Sequence, residues 1–350
     1  MRITGWMAEK KGGPMVRETY EASPEPGDVV LRVAGCGVCH TDLGFYFDGI
    51  PTRHPFPLVL GHEIAGTVVE AGEEAASWVG REVVVPAVLP CGTCDACRAG
   101  RGQVCGRQIF PGNDVHGGFA SHVRVPARGL CPVPARNGHD LAALSVVADA
   151  VSTPYAAIER SGLAAGDLAV FVGAGGVGAF GVQIAAARGA AVVAIDPDAG
   201  RRDLVRAHGA DLALDPGTLD FKGVKQAVWG FARERGIPTF RTRIFETSGT
   251  RRGQETAFGL LGQGGYLSVV GFTPEKLELR LSNLMAYDAT VQGNWGCLPE
   301  HYPAVVDLVL SGKVALEPFL ERRPMAEIES VFADLHARRI HRRVVLVPEA

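Results

Sequence analysis

Two short stretches of this chain gather residues able to do chemistry: Gly37-Val38-Cys39-His40-Thr41-Asp42 and, a little downstream, Gly61-His62-Glu63. Between them they offer a thiolate, imidazoles, a hydroxyl and carboxylates, most of which one divalent metal could use. A catalytic zinc takes three protein ligands of mixed sulfur, nitrogen and oxygen type and keeps a fourth position open for water or substrate. Cys39 and His62 supply two such ligands. Asp149, in Ala148-Asp149-Ala150-Val151-Ser152-Thr153-Pro154 just before a helix-like run, is the candidate for the third. Taken one at a time, these are as readily a buried thiol, a surface histidine and a helix-capping aspartate. Their company along the chain is what favours the metal.

Part of that company is Cys91-Gly92-Thr93-Cys94-Asp95-Ala96-Cys97, followed by Cys105. Two-residue spacers let successive thiolates turn back onto one metal, and a fourth thiolate nearby closes a tetrahedral cage with no open position. A structural zinc in a lobe at about 90–106 is expected, with a disulfide or an iron–sulfur cluster as the lesser alternative. Cys36, Cys131 and Cys297 read as packed thiols.

The other part is Leu168-Ala169-Val170-Phe171-Val172, a continuous apolar run suited to a strand buried on both faces. It feeds Gly173-Ala174-Gly175-Gly176-Val177-Gly178 and then a small-residue helix through Arg188. This is G-x-G-x-x-G in the setting it requires. The first glycine permits the tight turn, the second lets backbone approach a pyrophosphate, and the third lets helix and strand pack closely. Asp196 ends a second strand-like run, Ala191 to Ile195, 23 residues after Gly173. A carboxylate there accepts from the adenosine ribose hydroxyls and repels the extra phosphate of NADP. NAD is the expected cofactor, and Arg201 and Arg202 lie close enough to leave some NADP use open.

Elements must position these residues. The runs Asp28 to Ala34, Gly61 to Val69 and Arg81 to Val85 have the β-branched character of half-buried strands, so a β-rich domain is expected over about the first 130 residues. From Leu168 apolar strands alternate with helix-like segments, with further strands at Thr242 to Thr247 and Gly265 to Val270. A doubly wound sheet is expected to run to about Val291. With 350 residues, 47% hydrophobic and 21% charged, the chain is long enough for two packed cores. A net charge of −3 gives no reason to expect nucleic acid. The opening Met1-Arg2-Ile3-Thr4-Gly5-Trp6 lacks a charged region followed by an apolar run, and no apolar stretch is long enough for a bilayer. A cytoplasmic setting without a membrane partner is expected.

In this order, Cys39, Gly61-His62-Glu63, the four-cysteine lobe and the glycine motif resemble the zinc-dependent medium-chain alcohol dehydrogenases over nearly the whole length. The resemblance implies an α/β fold in which residues 1–152 and 293–350 form a GroES-like β-rich catalytic domain and residues 153–292 a Rossmann domain. It implies two zinc ions per chain. One is held by Cys39, His62 and Asp149, with Glu63 beside it as an exchangeable or outer carboxylate, and the other by Cys91, Cys94, Cys97 and Cys105. Many relatives carry cysteine where Asp149 stands, and aspartate is a known alternative. The resemblance further implies that Asp42 orients the His62 ring, that Thr41 accepts the substrate hydroxyl proton, and that His40 and Arg342 lie against the cofactor pyrophosphate. Many relatives place a proton-relaying histidine where this chain has Gly44, so the relay has to end differently. A homotetramer is the expected assembly, with the strand-like run Ala289 to Gly293 placed to extend a sheet across subunits.

Phe245-Glu246-Thr247-Ser248-Gly249, the stretch from Arg280 to Met285, that from Gly293 to Glu300, and Gly37 to Tyr46 carry a narrower resemblance. It is to NAD-dependent dehydrogenases that oxidise a cyclic hydroxyacyl-CoA thioester in anaerobic benzoyl-CoA breakdown. The expected reaction turns a secondary alcohol into a ketone, with an acyl-CoA as substrate. Lys222, Lys225, Arg233, Arg235, Arg241, Arg243, Arg251 and Arg252 form a basic excess that could meet coenzyme A phosphates or be a solvated face. The rivals are a small free alcohol or polyol as substrate, and a cofactor-binding protein without turnover.

Overall fold

The β-branched runs of the first domain are strands Asp28–Gly37, Glu63–Ala71 and Glu82–Val85 in the computed structural model, which describes residues 1–349. Contacts sort the chain into two units. One comprises Met1–Ser152, Gly296–Leu310 and the residues from Phe319 onward; the other comprises Thr153–Trp295 and Ser311–Pro318.

In the first unit Asp28–Gly37 is the spine. It pairs antiparallel with Glu63–Ala71, with His122–Pro126 and with the returning strand Arg343–Val347. Beyond these lie Leu320–Pro324 at one edge and Glu82–Val85 then Cys131–Pro132 at the other. A smaller sheet joins Met15–Glu21, Arg2–Ala8 and Leu58–Val59. Val29, Leu31, Ile64, Val68, Phe119 and Phe332 are buried in one core, and full burial of such side chains contributes about 1.5–3 kcal/mol each.

Register decides what gathers at one end of this sheet. Gly37 lies opposite Glu63 on one side and opposite Val345 on the other. Cys39 just past Gly37, His62 just before Glu63, and Arg343 just before Val345 therefore converge.

The second unit is built on a six-stranded parallel sheet in the order Leu212–Leu214, Ala191–Ile195, Leu168–Val172, Thr242–Glu246, Tyr266–Val269, Thr290–Gly293. Leu168–Val172 is buried at every position, as its unbroken apolar run requires in a sheet covered on both faces. The helix after the glycine motif spans Gly178–Ala187, with Arg188 as its C-cap. Strand order reverses around Leu168–Val172, and ligands of open α/β sheets bind at the carboxyl ends of the strands at such a point. The chain thus has the expected α/β architecture. Leu212–Leu214 was not evident from the sequence, being too short to show a period. Ser311–Pro318 joins this unit through Ala315, whose N–H and carbonyl both bond the Gln183 side chain, at 2.8 and 3.2 Å. Among the described residues no helix is long and apolar enough to cross a membrane.

Candidate functional site

Cys39 caps the one-turn helix His40–Leu43. The fully buried Asp42 of that helix ties both ligand-bearing segments together. Its Oδ2 accepts from the Cys39 backbone N–H at 2.9 Å, and its Oδ1 accepts from the Gly61 N–H at 3.2 Å and from His62 Nδ1 at 3.1 Å. With Nδ1 so engaged, the lone pair of His62 Nε2 faces the other way. There Nε2 lies 3.6 Å from Asp149 Oδ2, and Cys39 Sγ lies 3.6 Å from the same oxygen. One donor atom from each of Cys39, His62, Glu63 and Asp149 lies within 4.8 Å of the others. Tetrahedral zinc at its usual bond lengths separates sulfur from oxygen by about 3.5 Å and nitrogen from oxygen by about 3.3 Å. The three side chains fit such an ion.

The electrostatics agree with the geometry. Burial works against an imidazolium at His62, yet the Asp42 carboxylate and Asp149 on the second ring nitrogen hold it well above its ordinary value. Two carboxylates on one buried ring demand a cation between them, whether proton or metal. His62 also packs its ring against Phe110, with centroids 4.8 Å apart.

Glu63 is fully buried and paired through both oxygens with Arg343, at 3.0 Å for Nε to Oε2 and through a second contact from Nη2 to Oε1. Burial pushes the Glu63 carboxyl up, and the Arg343 guanidinium pulls it back. Gly37 makes room for this pair, since a Cβ there would stand 2.0 Å from Glu63 Oε2. Arg342, expected at the pyrophosphate, is exposed. The buried arginine of the stretch is Arg343, which the sequence did not single out. An arginine heading an apolar strand was its available signal, because a buried guanidinium requires an anionic partner.

Thr41 is half-buried with its Oγ1 3.6 Å from Cys39 Sγ, and His40 lies on the exposed side of the same turn. At Gly44 a Cβ would meet Ile50 Cδ1 at 2.5 Å, so Ile50 fills the space beside this glycine.

In the lobe, Cys94 Sγ is 3.4 Å from Cys97 Sγ and 3.6 Å from Cys105 Sγ, and Cys91 Sγ is 3.9 Å from Cys97 Sγ. A tetrahedron of sulfurs around zinc has edges of about 3.8 Å, so the four thiols fit a closed site. The Thr93 backbone N–H, donating to Cys91 Sγ at 3.4 Å, lowers that thiol to about 5, toward the thiolate a metal requires.

In the second unit the glycine loop follows Val172, with Gly173 at φ +101°. Gly175, Gly176 and Val177 are half-buried, and Gly178 is buried as it opens the helix. Asp196 is 3% exposed at the end of the neighbouring strand, where Oδ2 accepts from Ala174 N–H at 2.7 Å and Oδ1 from Asp198 N–H at 2.9 Å. Arg202 is engaged by Asp215 at 3.1 Å, whereas the Arg201 guanidinium reaches 3.7 Å from the position of a Cβ on Gly175.

The basic excess of this unit has local partners. Arg235 pairs with Asp211 and Arg241 with Asp167, Arg251 pairs with Glu255, and Lys225, Arg243 and Arg252 donate to backbone carbonyls. These residues supply no independent case for a phosphate patch.

Comparison with known proteins places the chain in a family. Residues 25–135 match the alcohol dehydrogenase GroES-like domain family, and residues 176–311 match the zinc-binding dehydrogenase family. An alcohol dehydrogenase of Geobacillus stearothermophilus is 29% identical over 95% of this chain and 94% of its own. The L-threonine 3-dehydrogenase of Pyrococcus horikoshii is 32% identical over 92% of this chain and 91% of its own. A Sinorhizobium meliloti structure, solved as a putative zinc-binding dehydrogenase bound to NADP, superposes with a TM-score of 0.87 at 25% identity, covering 99% of this chain and all of the other. Such identity, sustained from one end to the other, means that the chain belongs to the zinc-dependent medium-chain alcohol dehydrogenases.

Proposed function

We propose that this protein oxidises a secondary alcohol to a ketone with NAD as hydride acceptor, at a zinc held by Cys39, His62 and Asp149. The observation that carries the reading is the convergence of a thiol, an imidazole and a carboxylate from three separate segments on one point, with a buried aspartate fixing the ring. When bound, zinc supplies Lewis-acid polarisation of the alcohol oxygen and the nicotinamide takes up the hydride. Cys39 and Asp149 bring two negative charges and His62 none, which matches a divalent ion. Asp42 holds the imidazole in the tautomer that leaves Nε2 free to ligate. Arg343 neutralises Glu63, so a further carboxylate stands beside the ligands without adding net charge. Thr41, next to Cys39, accepts the substrate proton and passes its own onward. The loop from Gly173 to Gly178 receives the pyrophosphate at the start of its helix, and Asp196 the ribose.

The finer reading is that the substrate is 6-hydroxycyclohex-1-ene-1-carbonyl-CoA and the product its 6-oxo ketone. Its support is the narrower sequence resemblance, together with relatives whose names place the oxidised hydroxyl on a secondary carbon, such as L-threonine 3-dehydrogenase. A cytoplasmic homotetramer belongs to the same reading, supported by eight cysteines present as thiols and by the exposed edge strand Thr290–Gly293.

Two measurements test it. In Asp149→Asn and Cys39→Ser, zinc should fall from two to one per chain and turnover should be lost; unimpaired turnover in both refutes the site. NAD reduction against a panel of the cyclic hydroxyacyl-CoA, small secondary alcohols and polyols tests the substrate. Preference for a free polyol would overturn the thioester reading and leave the class intact.

A further inference from the structure

Asp149 is held from behind by a buried hydroxyl cluster. Tyr302 opens the helix Tyr302–Leu310 and is completely buried. Its hydroxyl donates to the Ala148 carbonyl and accepts from the Ala87 N–H at 3.2 Å. Ser152 Oγ lies 3.2 Å from the same phenol oxygen, 3.1 Å from the Ala148 carbonyl and 3.5 Å from the Asp149 carbonyl. Ala87 N–H also reaches the Ala148 carbonyl, at 3.4 Å. Three donors thus converge on the peptide that carries Asp149, and they link it to the chain leaving strand Glu82–Val85 and to a helix more than 150 residues away. Asp149 itself sits in irregular backbone, φ −141° and ψ −57°, after the 3-10 turn Ala143–Ala148. Neither a strand ladder nor a helix holds its direction.

We infer that Tyr302, assisted by Ser152, is a positioning residue that holds Asp149 in place to ligate the catalytic metal. The inference rests on the proposed ligand role of Asp149. Without the phenol hydroxyl, the peptide keeps only Ser152 Oγ and the Ala87 N–H as donors, and the carboxylate is held less firmly at the distance that Cys39 Sγ and His62 Nε2 set. The four-cysteine lobe has no part in this cluster and serves as an internal reference.

The test is zinc release from the intact enzyme to a chromogenic chelator, followed as two phases, together with zinc content after dialysis. Asp149→Asn first identifies the phase belonging to the Cys39–His62 site. Tyr302→Phe should then speed that phase roughly fivefold or more, the worth of one hydrogen bond at about 1 kcal/mol, with the lobe phase unchanged. A merely structural tyrosine would lower the unfolding temperature and leave both phases alone, and that outcome overturns the inference. Should Tyr302→Phe not fold, Ser152→Ala tests the same cluster by the same two phases. If Asp149→Asn itself alters neither phase, the ligand reading fails; if it removes one and neither hydroxyl variant moves that phase, only the positioning role fails.

Discussion

Alanine at Gly175 and at Gly178 should damage the protein in opposite ways, although both glycines belong to one loop. A Cβ on Gly178 would stand 1.9 Å from the Gly173 carbonyl oxygen and 2.6 Å from Thr247 Oγ1, where contacts under 3.0 Å essentially never occur. The obstruction is backbone, so the helix Gly178–Ala187 has to move by roughly 1 Å away from the strand it packs on. Overpacking costs about 1–3 kcal/mol where side chains can yield, and a carbonyl does not yield, so about 3 kcal/mol is expected. At about 2–4 °C per kcal/mol for a unit of this size, Gly178→Ala should lower Tm by roughly 6–12 °C. Around Gly175 the nearest atom to a Cβ is Arg201 Nη1 at 3.7 Å, an ordinary contact. Gly175→Ala should therefore change stability by less than about 0.5 kcal/mol. On the proposed cofactor site its methyl would occupy the space through which the pyrophosphate approaches, and NAD affinity should fall about tenfold or more, the equivalent of one charge-assisted hydrogen bond. Thermal unfolding without cofactor and NAD titration by fluorescence read the two effects separately. An unchanged Tm in Gly178→Ala, or parental NAD affinity in Gly175→Ala, would refute the division of labour.

Three further outcomes are expected. Cys94→Ser should leave one zinc per chain and open residues 90–106 to proteolysis while the Cys39 site keeps its metal; two zincs by elemental analysis would contradict the closed lobe. Asp196→Asn removes a charge and one of the acceptors serving Ala174 and Asp198 N–H, so the ratio of kcat/KM for NADP over NAD should rise about tenfold, and an unmoved ratio would show that the carboxylate does not select the cofactor. Burial raises Glu246 above its ordinary 4.5, against N–H donors from Ser248 and Gly249. As pH rises the unfolded chain loses that proton first, so the stabilisation is complete below 4.5 and disappears as pH passes through the folded value. Glu246→Gln should flatten this loss in denaturant unfolding followed upward from pH 4.5, and parallel pH slopes in the two proteins would count against it.

By itself the sequence determined what depends on residues within a few positions of each other. The C-x-x-C spacing around Cys94 brings thiols within reach of one metal whatever the rest of the chain does. The run Leu168–Val172 and its glycine loop state a buried parallel strand and a phosphate turn in ten or so residues, and the carboxylate of Asp196 follows at the end of the next strand. Tertiary structure alone decided which distant segments meet. Asp149 is the candidate third ligand without any local spacing to tie it to the other two, and only the fold brought its oxygen within 3.6 Å of both Cys39 and His62. Arg343 entered the metal site because of strand register, since one step along a strand turns a side chain to the opposite face and leaves Arg342 exposed. Tyr302 carries no motif at all, and its hydroxyl acquires meaning only where the fold sets it against the Ala148 carbonyl. Local spacing is written in the chain because short loops have few conformations. Long-range pairing is not, because it depends on how two cores and a whole sheet register settle together.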